Sequence, residues 1–323
     1  MKENSPATVF MSSDKEFDKK FAFVAYGLLI LIILFSTYLH YYQPQVLNVP
    51  SNVDVSTWKN PSFEHTCIYG RMTEAEKAKI RSEGIPGNTI PEILFMEIFA
   101  LFVAWLCFSH ARKHYGIWMA SCFLIGSFVF TGLQESAWIL FGRFTGRSAM
   151  QGLGEAVYGT YWFTKGGLWF IETPVSVCLG WFYLAYSCVW IAGKAFTKKS
   201  LLWRAAVGGL IAMGLDLWTD PVVTSPELMS WVWATGDFIR VLGIPQTNFV
   251  GWFLLIFCFA FLWEWLPGWE EKWGRAKATN NFFLILVGMD IVVLVFQVPW
   301  CFILRSILVL AGVDHGLLIP QGW

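Results

Sequence analysis

The chain has 323 residues, no net formal charge, 56% hydrophobic and only 14% charged residues, with 29 Phe and 19 Trp. Such a balance excludes a water-soluble globule and offers no basic block for nucleic acid. Apolar runs long enough to cross the roughly 30 Å hydrocarbon core recur along it, without the ten-residue alternation of a transmembrane barrel. The expected fold is an all-α, polytopic membrane helix bundle.

Residues 1–20 are polar and mixed in charge, as in a cytoplasmic tail. The apolar run that follows has no small-residue cleavage site, so it reads as an uncleaved first helix. Seven spans are expected, at 21–40, 92–110, 116–141, 168–192, 201–219, 248–267 and 281–300. The segment 301–313 is apolar but short; it is an interfacial piece, a continuation of the last helix, or an eighth crossing. Lys and Arg gather on the N-terminal side of this arrangement (Lys15, Arg112, Lys198 and Lys272 among them), which orients the N-terminus to the cytoplasm. The long outer loop 41–91 is expected to hold one short helix, opened by a Thr73–Glu76 capping box and ended near Gly84. No internal repeat is expected, and 21–323 is taken as one membrane domain, in the cell membrane. The seven Cys form no CxxC, so neither a disulfide framework nor a zinc site is indicated.

On this topology Glu97, Glu135, Glu172, Asp216 and Asp220 lie toward the outer ends of spans two to five, and Asp290 near the middle of span seven. Intramembrane carboxyls are costly and face the bundle interior or a wet cavity. Each is either a chemical group or an acid that merely reaches interfacial water. Asp216 and Asp220 are four residues apart and share a helix face. Pro221 is expected to end the helix at Asp220, setting both acids in the last turn, where the helix dipole opposes negative charge. A neutral carboxyl in a partly dry pocket is a competent general acid. Trp218, Trp231 and Trp233 flank the acids and could shelter a carbocation. The run 263–273, beginning at Trp263, reads instead as an interfacial aromatic belt. His110 and His114 could share a helix face as metal ligands, but beside Arg112 and Lys113 a solvated basic turn is expected. No nucleotide-binding glycine loop and no GxSxG occur. No metal or cofactor is expected, which leaves acid–base chemistry on a lipid, or no chemistry.

Residues 214–253 carry an ordered series: Asp216, Asp220, Pro221, then Trp231 and Trp233, then Gly243-Ile244-Pro245, Asn248, Phe249, Gly251 and Trp252. Upstream stand Glu135, "FTG" at 144–146, "YGTYWFT" at 158–164 (which includes Tyr161), and a Pro174-containing helix start leading to "LGWFYLAYS". This series resembles the carotenoid biosynthesis protein family that includes bisanhydrobacterioruberin hydratase, over about residues 125–265. The resemblance implies a membrane enzyme that adds water across the terminal isoprene double bond of an acyclic carotenoid to give a tertiary alcohol. It implies Asp216, Asp220 and Glu135 as the acid–base group. Asn248 would orient a water or hold the loop, or else cap span six. Tyr161, Trp218, Trp231, Trp233 and Trp252 would line the substrate. The extra residues 147–157, the long outer loop and "IETP" at 171–174 depart from the family pattern, and Glu172 could be an added catalytic acid.

Two other functions stay open. A membrane terpene or carotenoid cyclase would use the same acid and aromatics in a pocket that excludes water. A non-catalytic lipid-binding or assembly protein would hold acids that only satisfy one another. The expected partners are a lipid-soluble isoprenoid, membrane lipid and other isoprenoid-pathway enzymes.

Overall fold

The computed structural model describes residues 19–42, 73–83, 86–145, 161–225, 227–233, 240–242 and 244–312. Helices α1 (Lys19–Tyr42), α3 (Ile90–Thr145), α4 (Val175–Ala195), α5 (Leu201–Val223), α6 (Gln246–Trp273) and α7 (Arg275–Leu310) are each long and apolar enough to cross a membrane. The short α2 (Glu74–Glu83) is opened by the expected capping box: Glu76 N donates to Thr73 Oγ1 at 3.3 Å and Thr73 N to a Glu76 carboxylate oxygen at 2.6 Å. The expected terminator, Gly84, lies outside the described residues.

At 1.5 Å per residue the 56 residues of α3 would run for about 84 Å, far beyond one bilayer crossing. Gly116 breaks it, with φ 79° and ψ 165°, a conformation essentially restricted to glycine. The two limbs run antiparallel. Glu97, on the first, accepts from Gly167 N at 3.1 Å, while Ser136 Oγ, on the second, accepts from Glu172 N at 3.1 Å. Residues about equally far from the break thus reach one short segment. Gly274 (φ 79°, ψ 155°) joins α6 to α7 by the same device. With α3 crossing twice, the described residues hold seven crossing segments, the expected number. The tail question is answered too, because α7 continues through Pro299 to Leu310.

Four boundaries or assignments differ from expectation. Span four begins at Val175 rather than 168, because residues 161–174 form short strands instead of helix. Span five does not stop at Asp220; α5 carries Pro221 inside it and ends at Val223, where Thr224 N and Oγ1 both donate to the Asp220 carbonyl. Trp263 is not in an interfacial belt. It is 2% exposed, packs edge-on to Phe123 and Tyr115, and its indole donates to the Met119 carbonyl at 3.4 Å.

The fourth difference is an internal repeat. In the first unit, the second limb of α3 is followed by β1 (Tyr161–Phe163), a hairpin of β2 (Trp169–Phe170) and β3 (Thr173–Pro174), and α4. In the second unit α5 is followed by β4 (Trp231–Trp233), a hairpin of β5 (Arg240–Val241) and β6 (Ile244–Pro245), and α6. Both hairpin turns start at a residue with positive φ, Ile171 at 55° and Leu242 at 56°. Both end on a proline of nearly equal conformation, Pro174 and Pro245, which begins the helix. The helices open alike, "PVSVCLGWF" from Pro174 and "PQTNFVGWF" from Pro245. β1 pairs antiparallel with β4, Trp162 opposite Val232 at the centre, so a local two-fold axis passes between the units. Trp181 and Trp252, matching residues, meet with ring centroids 4.5 Å apart.

The first hairpin is clamped by α1. Ile171 is β-branched, so its positive φ is costly and needs support. Ser36 Oγ accepts from Ile171 N at 3.0 Å and His40 Nε2 donates to Ile171 O at 2.8 Å. The His40 ring stacks on Trp169 at 4.0 Å.

Candidate active site

Where the repeat units meet, at the acid-bearing end of the bundle, lies a cavity of about 450 Å³. Its size suits a small organic ligand or one end of a longer one. α4 supplies one wall through Ser176, Val177, Gly180, Trp181 and Leu184; the first limb of α3 faces it with Phe95, Phe99 and Ala100. Phe95 is 70% and Phe99 54% exposed at the outer surface, so the cavity opens sideways into the hydrocarbon. Trp231 and Phe163, in the paired strands β4 and β1, close the end together with Tyr161; their rings meet edge-on at 5.7 Å.

Two acids reach this cavity, Asp220 from α5 and Glu135 from α3. Asp216, one turn before Asp220, is fully buried behind it. Asn248, on the first turn of α6, joins the pair: its amide nitrogen donates to Asp216 Oδ2 at 2.9 Å and to Asp220 Oδ2 at 2.6 Å. Each of its two N–H groups thus serves one carboxyl. The capping role for Asn248 is not what forms, since Pro245 occupies the N-cap of α6. Across the cavity the Trp181 indole donates to Glu135 Oε1 at 2.9 Å. In each unit, then, the helix after the proline donates hydrogen bonds to the acid of the helix before it. Among the described residues no ion pair involves Asp216, Asp220 or Glu135.

A second, smaller cavity of about 40 Å³ lies on the far side of the Trp181–Trp252 contact. It shares Glu135, Tyr161, Asn248 and both tryptophans with the large one, and adds Gln134, Trp138, Thr247 and Gln297.

The other expected site residues fall elsewhere. Trp218 is 81% exposed on the outer face of α5, directed away from the acids. Trp233 pairs through its backbone with Tyr161, and its side chain lies outside the described residues. Glu172 is buried in the β2–β3 turn, its N–H on Ser136, and lines neither cavity. Glu97 anchors the backbone of Gly167 and Leu168. Asp290 is buried in α7 and also lines neither cavity. His110 and His114 lie side by side, ring centroids 4.3 Å apart and planes tilted by 49°, against Trp190 on the exposed side of α3, and no metal-binding cluster occurs among the described residues.

Three groups escaped the sequence reading. Trp181 could have been found from its place in the repeated "GWF". Gln297 gives no local sequence signal. Lys165, also buried and lining the large cavity, donates to Pro86 O at 2.9 Å and Leu228 O at 2.7 Å. Burial holds its ammonium pKa below the usual lysine value, with Glu92 partly offsetting this.

A family model described as carotenoid biosynthesis protein matches residues 93–313. No curated protein and no solved structure matches the chain.

Proposed function

Because the chain belongs to the carotenoid biosynthesis protein family and so has a role in carotenoid biosynthesis, we propose that it is a membrane-embedded hydratase. It adds water to a terminal isoprene double bond of an acyclic carotenoid or related isoprenoid. The observation that carries this reading is the pair Asp220 and Glu135 on the wall of an apolar, aromatic cavity that opens into the hydrocarbon. A rod-like isoprenoid could stay in the bilayer, about as long as the bilayer is thick, and insert only its end group.

Asp216 and Asp220 share the neutral Asn248 amide, with no ion pair to either among the described residues, and in this mechanism the pair carries one proton. Asp220, the member at the cavity, gives that proton to the CH carbon of the alkene. The π pair forms the new C–H bond and leaves a tertiary cation, which the faces of Trp181, Trp231 and Trp252 shelter. A water oxygen attacks the cation to form the C–O bond. The resulting oxonium loses a proton to the Glu135 carboxylate, held in place by the Trp181 indole. Proton return from Glu135 to Asp220 through water restores the enzyme. One alkene and one water become one tertiary alcohol.

The test is mass analysis of pigments from a bacterium accumulating acyclic carotenoids, with and without the protein. A product heavier by one water that disappears in Asp220→Asn supports the reading. A product of unchanged mass but altered retention makes the protein a cyclase, and an unchanged pigment profile argues against catalysis on such substrates.

A further inference from the structure

The repeat places matching residues around both cavities. Ser176, Val177, Gly180 and Leu184 line the large cavity; their counterparts Thr247, Asn248, Gly251 and Leu255 line the small one, and Trp181 and Trp252 form the wall between. The cavities are therefore two versions of one chamber, related by the axis through the β1–β4 pair. They differ in what lies opposite the glycine. Beside Gly180 the nearest side chain is Tyr183 of the same helix, whose hydroxyl would lie 3.4 Å from a Cβ there, and the first limb of α3 lines the same cavity with Phe95, Phe99 and Ala100. Opposite Gly251 stands Gln297 of α7, so close that a Cβ on Gly251 would lie 2.6 Å from its amide nitrogen. Val177 matches Asn248, which lines both cavities.

From this difference we infer that the small cavity is the water site of the enzyme, with Gln297 its main water-binding residue; the inference rests on the hydratase reading. A volume of about 40 Å³ has room for about three or four waters, given that one needs roughly 10–15 Å³ on the same measure and two to four polar partners. Those partners are present: the amides of Gln297, Gln134 and Asn248, the Thr247 hydroxyl and the Glu135 carboxylate. Gln297 itself is buried, and its oxygen accepts from the Trp138 indole. Glu135 lines both chambers, so a water held in the small one stands next to the base that would take its proton. The larger chamber takes the hydrocarbon and the smaller one takes water. A cation formed in the first is met by water from the second before it can lose a proton or cyclise.

The test replaces Gln297 by Leu, one atom shorter and with no polar atoms. Trp138 keeps an acceptor, because Gln134 can turn its amide oxygen to 3.1 Å from that indole while its nitrogen donates to Asp290 O at 3.0 Å. In the carotenoid-accumulating bacterium, Gln297→Leu should still consume substrate. The ratio of hydrated product to products of unchanged mass should fall by about tenfold or more, the loss of one well-placed polar partner. Gln297→Glu, which keeps polar atoms in place, should stay near the wild-type ratio. Thr247→Val, on the opposite wall, should shift the ratio in the same direction, and carries the test if Gln297→Leu does not accumulate in the membrane. An unchanged ratio in Gln297→Leu, or in Thr247→Val where that variant stands in, overturns the water site and leaves the hydratase intact. A wild-type protein that yields no hydrated product overturns both.

Discussion

Asn248→Asp is the sharpest perturbation of the acid pair, since it keeps the side chain's size and shape while replacing NH2 by OH. The amide presents two N–H donors, one to Asp216 at 2.9 Å and one to Asp220 at 2.6 Å. A neutral aspartic acid in its place has one O–H, so one carboxyl of the pair loses its donor. A hydrogen bond to a charged group contributes about 1.5–3 kcal/mol, and each 1.4 kcal/mol is about tenfold in rate. If Asn248 holds Asp220 in its reactive position, turnover should fall about 10- to 100-fold in Asn248→Asp. In Asn248→Leu, which removes both donors, it should drop below detection. The assay is the initial rate of hydrated-product formation in isolated membranes, normalised to the amount of folded protein. Wild-type rates in both variants would refute the reasoning. So would a loss of folded protein large enough to account for the whole drop, because the amide would then only stabilise the bundle.

Trp181→Phe keeps an aromatic face toward the cavity but removes the indole N–H on Glu135, so hydration should slow by about tenfold; the same kinetic assay measures it. Trp263→Phe should leave the rate per folded molecule unchanged and cost about 1–3 kcal/mol of stability, seen as a lower melting temperature in detergent, because the indole is buried among Phe123 and Tyr115. Trp218→Ala should change turnover less than about twofold, as befits a surface substitution; a large loss would put that side chain at the substrate after all.

The spans were legible because the bilayer dictates their length, whatever the packing inside. The acid pair was legible from its four-residue spacing, and Glu135 from its likeness to the family pattern. Residues 161–174 were not. "LWFIETPVSV" carries only Glu172, Thr173 and Ser176 among apolar residues and reads as part of a span, and its turn falls on Ile171 and Glu172 with neither Gly nor Asn to announce a positive φ. α1 supplies the missing support from far away in sequence, through Ser36 and His40. Pro221 misled in the opposite direction. Close to a helix end, one missing N–H costs little, and Thr224 ties the last turn to Asp220 O. The repeat was hidden because its units share few residues outside the proline-led helix starts. With it unseen, nothing marked Trp181 or Gln297.

The joint between the two units is the short turn Phe196–Ser200, joining α4 to α5. Neither unit alone encloses a chamber: Glu135 and Trp181 come from the first, and Asp216, Asp220, Asn248 and Trp252 from the second. Cutting the gene within that turn would give two polypeptides, each a set of whole membrane-crossing helices able to insert independently. Their association would have to rebuild the β1–β4 seam before any alkene could be protonated. Expressed singly, neither fragment should alter a carotenoid; expressed together, they make assembly at that seam something a colony's pigments could report.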